Sequence, residues 1–238
     1  MDEKMVTARL LARRRALAIL GASGAALLAA RHAAAAAADP ALPACVVRPR
    51  QTEGPFFVDG DLERSDLRVD PRTGAVKPGV PLRLAFRVSR VAASSCAPLA
   101  GAQVHVWHCD AAGDYSSVRD QRAPKAGEAF LRGFQNTDAA GIARFLTIYP
   151  GWYPGRAVHV HFKIRTADAA RNEFTSQLYF DEALSERVYA AAPYAGRGRP
   201  RLSNGDDFLF RDGGRQLLLD VKPEDAAYAA VFDIGLQA

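Results

Sequence analysis

Apolar side chains alternate with polar or small ones over residues 80–88 of this 238-residue chain. Pro, Arg, Ala, Arg and Ser stand between the apolar positions, which are Val80, Leu82, Leu84, Phe86 and Val88. Successive side chains of a β-strand point to opposite faces, so this period of two predicts a strand with one buried face. A helix would need apolar residues three and four positions apart. The pattern therefore favours a fold made of half-buried strands.

Shorter runs of strand-forming residues recur along the rest of the chain. Further strands are predicted at residues 102–108, 142–148, 157–164, 174–180, 206–210 and 215–221. Turns rich in Asp, Asn, Pro and Gly separate them. Only residues 181–192 predict a helix, because acids occupy its first turn and Pro193 follows it. Many short strands with one short helix predict an all-β, single-domain β-sandwich over residues 39–238.

Residues 1–38 have the pattern of a cleavable export signal. Three arginines at 13–15 precede the uncharged stretch 16–30, and an alanine tract follows. This order of basic, apolar and small residues is typical of a secretory signal, and the paired arginines resemble the twin-arginine signal. The uncharged stretch is too short and too weakly apolar for a stable membrane span. We expect a periplasmic or extracellular mature chain that begins within residues 33–40.

The net charge of +5 is concentrated in the same segment. Of 31 Lys and Arg and 26 Asp and Glu residues, six and two lie in residues 1–38. The other 200 residues therefore hold 25 basic and 24 acidic side chains. Binding to nucleic acid requires cations clustered on one face, which a nearly neutral body does not offer. The composition thus predicts no nucleic-acid partner, and it leaves homo-oligomer formation open.

Three cysteines limit the disulfide chemistry of an exported chain. Cys45 and Cys96 lie in Pro-rich connecting stretches, whereas Cys109 ends a predicted strand. We predict a Cys45–Cys96 disulfide, which would stabilise the fold by about 4 kcal/mol in the chain-entropy model. Acylation of Cys45 as a lipoprotein is the alternative.

Two histidines share one face of the predicted strand at residues 157–164. His159 and His161 are two positions apart, and the opposite face carries Val158, Val160, Phe162 and Ile164. Paired imidazoles form half of a metal site, although strand histidines without any ligand are also common. No carboxylate follows at the place a two-His, one-carboxylate ferrous site would use, and paired cysteines are absent from the sequence. The pattern therefore disfavours that ferrous site and structural zinc.

Tyrosines are the other potential donors near the pair. Tyr153 lies in the segment that enters the histidine strand, and Tyr115 closes the loop after the strand that holds Trp107. Two phenolates and two imidazoles form a hard, anionic donor set. A trivalent ion is needed to hold phenols deprotonated far below their free pKa of about 10. The set favours one Fe(III) per chain, whereas either tyrosine taken alone is explained as well by a loop-anchoring hydroxyl.

Five segments, in order along the chain, carry a resemblance to a known family. They read QTEGPFF, WHCDAAGDY, FQNTDAAG, YPGWYPGRAVHVHF and TSQLYF, at residues 51–57, 107–115, 134–141, 149–162 and 175–180. Together they resemble the intradiol ring-cleavage dioxygenases of the protocatechuate 3,4-dioxygenase type. The resemblance covers roughly residues 45–182, and five ordered segments are far more specific than the histidine pair alone.

The resemblance implies the site residues. It makes Tyr115, Tyr153, His159 and His161 the iron ligands, with Tyr153 and His161 axial. Tyr153 would also leave the metal and take a proton from the substrate. Arg156 matches the family's active-site arginine, which stabilises negative charge, and Gln177 matches a glutamine that orients the arginine or the substrate. By analogy, the substrate pocket is lined by Gly54, Pro55, Phe56 and Trp107.

The activity implied by the resemblance is intradiol cleavage. A catecholic substrate and O2 would react at the iron, and both oxygen atoms would enter between the two hydroxylated carbons to give a muconate-type diacid. Two alternatives stay open: an exported β-sandwich binding module without catalysis, and iron-dependent oxidation of a larger polyphenol. The segment between Tyr153 and His159 looks shorter than in the protocatechuate enzymes, so the resemblance does not identify the substrate.

Overall fold

The alternating segment forms the long central strand of the first sheet in the computed structural model. This strand, β1 (Pro81–Ala92), runs parallel to β11 (Ala227–Gln237) and antiparallel to β7 (Ile142–Ile148). Its inner face is at most 1% exposed and consists of Leu82, Leu84, Phe86 and Val88. The predicted strand with one buried face is confirmed.

The structure describes residues 46–237, except 61, 93–94, 118, 121–122, 125–126, 167–172 and 201. The other strands in this part are β2 (Ser95–Pro98), β3 (Gln103–Trp107), β4 (Arg119–Asp120), β5 (Ala123–Pro124), β6 (Arg132–Asn136), β8 (His159–Arg165), β9 (Glu173–Tyr179) and β10 (Lys222–Glu224). The helices are α1 (Glu182–Tyr189) and α2 (Phe208–Arg211), and two 3-10 turns are Ala195–Arg197 and Gly214–Leu217.

Two sheets pack face to face. The first has the strand order β10-β11-β1-β2, with β7 also paired to β1, and the second has the order β6-β3-β8-β9. Their inner faces meet in an aromatic layer, where the Phe162 ring lies 5.2 Å from that of Phe86 and 5.5 Å from that of Phe232, centroid to centroid. The predicted all-β sandwich is confirmed.

Helix α1 agrees with the sequence, whereas two predicted strands are wrong. The Asp181 carboxylate accepts a hydrogen bond from the Leu184 amide and starts the helix, as an N-cap does. Residues 206–210 instead enter α2, because the Asp207 carboxylate accepts from the amides of Leu209 and Phe210. Residues 215–221 contribute to a 3-10 turn and an irregular segment. The sequence therefore underestimated the helical turns.

The export segment, residues 1–38, and Cys45 lie outside the described residues. Among the residues that the structure describes, Cys96 is disulfide-bonded and Cys109 is a buried free thiol. The Cys45–Cys96 pairing itself stays a prediction. No helix in the described part is long and apolar enough to cross a membrane.

Candidate active site

The outer face of the second sheet carries the predicted histidines. In β8, His161 pairs with Trp107 of β3 and with Gln177 of β9, and His159 pairs with Tyr179. Directly paired residues share a face, so these side chains lie in one patch. Both imidazoles are nearly inaccessible, at 2% and 1% exposure. Since this face points away from the inter-sheet core, loops must cover it.

One covering loop follows β3 and ends at Tyr115. The Asp110 carboxylate accepts from the amides of Ala112 and Asp114, which closes a tight turn. Gly113 in this turn has φ +83°, and a Cβ there would lie 2.3 Å from the carbonyl oxygen of Trp152. Only glycine fits this close approach to the neighbouring loop. The turn thereby delivers Tyr115 to the patch, where it is 5% exposed.

The second covering loop connects β7 to β8 and carries Tyr153. Two tyrosines, at the end of α1 and just after it, hold the first residues of this loop. The Tyr189 hydroxyl donates to the Pro150 carbonyl at 2.8 Å, and the Tyr194 hydroxyl donates to the Tyr149 carbonyl at 2.7 Å. The Gly151 amide donates to the carbonyl of Asp110 in the first loop. The two tyrosine loops are therefore packed against each other.

The four predicted donors converge. The Tyr153 hydroxyl lies 3.0 Å from His159 Nε2, which lies 3.0 Å from His161 Nε2. The Tyr115 ring is 5.7 Å from that of Tyr153 and 6.2 Å from that of His161, centroid to centroid. The Tyr115 hydroxyl is buried without a hydrogen-bond partner among the described residues. An unpaired buried hydroxyl whose ring packs near a histidine and a second tyrosine suits a metal ligand.

The position of the proton on the His159 ring also suits a metal ligand. His159 Nδ1 lies 2.6 Å from the Ala157 carbonyl, and it donates there because a carbonyl only accepts. A neutral imidazole with its proton on Nδ1 presents an Nε2 lone pair, here towards His161 and Tyr153. The described residues contain no metal-sized cluster of three His, Cys, Asp or Glu side chains. A metal at this place would therefore need the tyrosines.

Burial keeps all four groups neutral in the metal-free protein. It lowers the pKa of His159 to about 3, helped by the nearby Arg156 charge, and it lowers the pKa of His161 well below its ordinary value. Burial raises the pKa of Tyr153 to about 12, although Arg156 opposes the shift. It also raises the pKa of Tyr115 strongly, as does the neighbouring Tyr153. A high positive charge must enter before the phenols ionise.

The predicted pocket residues contact the donors. The Phe56 ring stacks on Tyr115, with centroids 4.3 Å apart and 22° between the planes. Trp107 stacks on His161 at 5.0 Å and 6°, and it is 1% exposed. Gly54 has φ +71°, and a Cβ there would lie 3.3 Å from His161 Cε1. Pro55, by contrast, is exposed.

Arg156 is held at the edge of this cluster. Its Nε donates to the Asp207 carboxylate at 2.9 Å, and its Nη2 donates to Gln177 Oε1 at 2.6 Å. Asp207 is completely buried and also accepts from the Ala157 amide at 2.8 Å. Burial would raise the pKa of Asp207, but the Ala157 amide and the Arg156 charge hold it below its ordinary value. The arginine is thus fixed between two partners.

Residues that the sequence did not single out complete this network. Asp207 lies 51 positions after Arg156, in a segment whose sequence predicts a strand. Tyr179 receives a 3.4 Å hydrogen bond from Arg156 and donates to Gln51 Oε1 at 2.8 Å. Tyr179 had a signal, since it shares a strand face with Gln177. For Asp207, its position directly before the apolar run at residues 208–210 is typical of a helix N-cap.

Comparison with known proteins gives the class of the protein. The family described as Dioxygenase matches residues 52–209. The protocatechuate 3,4-dioxygenase beta chain of Burkholderia cepacia is 34% identical over 164 residues, which cover 64% of this chain and 68% of the relative. The matched range exceeds half of the chain and extends beyond residue 182 to include Asp207.

Solved structures agree with the fold. An intradiol ring-cleavage dioxygenase from Tetranychus urticae has a TM-score of 0.70 at 28% identity, covering 81% of this chain and 95% of its own. The dioxygenase domain of a dioxygenase carbohydrate-binding protein fusion from Streptomyces sp. SirexAA-E has a TM-score of 0.57 at 30% identity, covering 81% and 99%. The chain belongs to the intradiol ring-cleavage dioxygenase family and is a dioxygen-incorporating oxidoreductase.

Proposed function

We propose that this enzyme uses one Fe(III), held by Tyr115, Tyr153, His159 and His161, to cleave a catechol-type substrate between its two hydroxylated carbons with O2. The observation that carries the proposal is the convergence of these four side chains, including a buried Tyr115 hydroxyl without a partner. The similarity to a protocatechuate 3,4-dioxygenase chain supports the substrate class. The product would be a muconate-type diacid.

The donor set supports iron in its ferric state. Two phenolates and two neutral imidazoles are hard ligands with two negative charges, which match a trivalent ion better than a divalent one. When bound, Fe(III) supplies a Lewis acid and electron acceptor through which a chelated catecholate reacts directly with dioxygen. The protein then has to hold the substrate, remove its phenolic protons and stabilise the charge that develops.

Tyr153 is suited to take one of those protons. It is the less buried of the two tyrosines, and its loop leads towards the exposed residues Pro154 and Gly155. As a phenolate its oxygen is a strong base, because burial raises the pKa of this tyrosine to about 12. Tyr115 is 5% exposed and lies at the end of the tightly closed Asp110 turn. Tyr153 is therefore the tyrosine that exchanges a proton with the substrate, and Tyr115 stays in place.

Arg156 would stabilise negative charge on the substrate. Its side chain is 13% exposed, and hydrogen bonds to Asp207 and Gln177 fix the orientation of its guanidinium. A cation already held in place needs no reorganisation when charge develops, so its stabilisation is greatest in the transition state. Gln177 itself is anchored by a hydrogen bond from its amide to the Thr52 carbonyl at 3.1 Å.

Trp107 and Phe56 support the ligands from two sides. Trp107 is buried against the His161 ring, and Phe56 covers Tyr115 while remaining partly exposed. We assign to Trp107 the role of holding the His161 ring in place. Phe56, together with Gly54 and Pro55, forms the wall between the cluster and solvent. Such a wall excludes water, which strengthens the electrostatic interactions inside the site.

The test compares metal binding with turnover on the same samples. The wild-type protein, loaded with Fe(III), should be coloured by charge transfer from tyrosinate to iron and should consume O2 with catechols. His161→Ala should lose iron and colour together. Arg156→Ala should keep the iron, the colour and the spectral change on catechol binding, while turnover falls on the order of a hundredfold or more.

Arg87→Ala is the matched control, because it breaks another hydrogen-bonded arginine–aspartate pair, with Asp233, in the first sheet. Its turnover should stay at the wild-type level. Full activity of Arg156→Ala would remove the arginine from catalysis. A colourless wild-type protein that consumes no O2 would favour a binding module, and O2 uptake without ring-cleaved product would favour oxidation of a larger polyphenol.

Export is a separate proposal. It is supported by the order of basic, apolar and small residues in the segment 1–38 and by the disulfide at Cys96, since disulfides persist in oxidising compartments. Intact-mass analysis of protein from the periplasm and medium, with and without reductant, tests both signal cleavage and the Cys45–Cys96 bond. Retention of Met1 or acylation of Cys45 would contradict it.

A further inference from the structure

Arg132 is a buried cation beside the candidate site. It is the first residue of β6, pairs with Trp107 of β3, and is only 4% exposed. Its Nε donates to Ser116 Oγ at 2.9 Å, its Nη2 to the Ser116 carbonyl at 2.5 Å, and its Nη1 to the Phe56 carbonyl at 3.2 Å. All three nitrogens therefore bind segments that form the site.

Every acceptor of this guanidinium in the described part of the chain is uncharged. No described carboxylate lies within ion-pair distance of Arg132, in contrast to Arg156 with Asp207. A buried charge without a counter-charge is costly, and structures that retain one usually compensate it elsewhere. A nearby residue that gains negative charge would compensate this guanidinium.

The segments bound by Arg132 both converge on Tyr115. Ser116 is the next residue in the chain, and the Phe56 ring stacks on the Tyr115 ring at 4.3 Å. The guanidinium thus holds the backbone after the tyrosine and the residue that covers it. The Tyr115 phenol also lies within electrostatic range of the guanidinium.

We propose that Arg132 is a positioning residue that fixes Tyr115 and supplies the counter-charge for its phenolate. The inference rests on the proposed function, since Tyr115 gains a negative charge only when it ligates iron. In the metal-free protein the guanidinium is uncompensated. Ligation by Tyr115 places an anion beside it, so part of the free energy of iron binding comes from this pair.

Replacing the guanidinium with a neutral group tests the counter-charge. Fe(III) affinity is measured by competition with a ferric chelator, and the tyrosinate-to-iron band is recorded on the loaded protein. Arg132→Gln should weaken iron binding by about tenfold or more and shift the band to longer wavelength, because the phenolate loses an attractive charge. Arg132→Lys keeps the charge and should restore the band and most of the affinity.

Arg48→Gln is the matched control. Arg48 is half-buried rather than buried, but like Arg132 it donates to backbone carbonyls of separate segments, at Asp233 and Gln216, and it faces the first sheet. Its loss should lower stability without moving the band or the iron affinity. If Arg132→Gln does not fold, Ser116→Asp provides the second test, because a carboxylate beside the guanidinium neutralises it and should give the same red shift.

The outcomes separate this inference from the proposed function. A wild-type protein that takes up no Fe(III) refutes the proposed function itself. A coloured wild type with unchanged affinity and band in Arg132→Gln, or with an unchanged band in Ser116→Asp, refutes the counter-charge role alone. A red shift as large in Arg132→Lys as in Arg132→Gln also refutes it, since the charge would then not be what matters.

Discussion

Gly54→Ala tests how closely the pocket segment approaches His161. Gly54 has φ +71°, a left-handed conformation that costs a residue with a Cβ about 1–2 kcal/mol. The new Cβ would also lie 3.3 Å from His161 Cε1, which is tighter than an ordinary contact. His161 is held by its strand and by the stacked Trp107, so it cannot move freely. Overpacking of this kind adds about 1 kcal/mol or more.

Gly74→Ala isolates the conformational cost. Gly74 has φ +72°, but nothing lies within 4 Å of the position of its missing Cβ. We expect a loss of about 1 kcal/mol in the free energy of unfolding for Gly74→Ala. Gly54→Ala should lose about 2–3 kcal/mol, the sum of conformational cost and overpacking.

Denaturant unfolding and the iron spectrum measure the two effects separately. Both variants should unfold at lower denaturant concentration, but only Gly54→Ala should alter the visible band and reduce turnover, because only there does the new methyl group meet a proposed ligand. Equal losses of stability in the two variants, with an unchanged spectrum in Gly54→Ala, would refute the close approach.

Three further outcomes are expected. Fe(III) binding should release about two protons per iron, because Tyr115 and Tyr153 are neutral in the metal-free protein while the histidines already lack a second proton. The protons are measured in lightly buffered solution, and release of none would contradict phenolate ligation. The folded-state pKa of Asp207 is below its ordinary 3.8, so its contribution to stability is present above that value and is lost as the pH falls through the folded pKa. Asp207→Asn should therefore lose less stability than the wild type as the pH falls below about 4, and an identical acid limb in denaturant unfolding would contradict this. Lys163→Met should lower the free energy of unfolding in urea by roughly 1–2 kcal/mol, because the buried ammonium bridges the carboxylates of Glu53 and Glu173. The loss is modest because both carboxylates are half-exposed and regain water when the ammonium is removed. A more stable variant would show that the bridge contributes nothing.

The sequence predicted the parts of the fold that local periodicity determines. Strand β1 was predictable because its inner residues alternate with Arg83 and Arg87 on the other face. The sequence does not predict strand β11. Ala229, Val231 and Gly235 alternate with its inward-facing residues but are not polar, so the apolar–polar alternation typical of a half-buried strand is absent. The apolar run from Phe208 to Phe210 has the opposite problem: it looks like a strand, but the preceding Asp207 carboxylate caps a helical turn.

The site was predictable where its members are close in sequence or match the ordered segments. His159 and His161 share a strand face, and Tyr153 lies six positions before the first of them. Asp207 and Arg132 were not predictable in the same way, because tertiary structure alone brings them beside Arg156 and Tyr115. An isolated Asp or Arg in a sequence carries no sign of the group it will face.

The ionisation states of the proposed donors bear on which cation the proposed site would select. Burial leaves the two imidazoles neutral with available lone pairs, so they bind a divalent or trivalent ion without losing a proton. The phenols must each lose a proton against a raised pKa, and only a strong positive charge offsets that cost. A divalent ion would favour deprotonation of the phenols less strongly, and two phenolates would neutralise its formal charge before any substrate oxygen could bind. A trivalent ion bound by both phenolates keeps a net positive charge, which is what a chelating catecholate dianion requires. The same burial that keeps the four proposed donors neutral in the metal-free protein would thus favour ferric iron over the more common divalent metals.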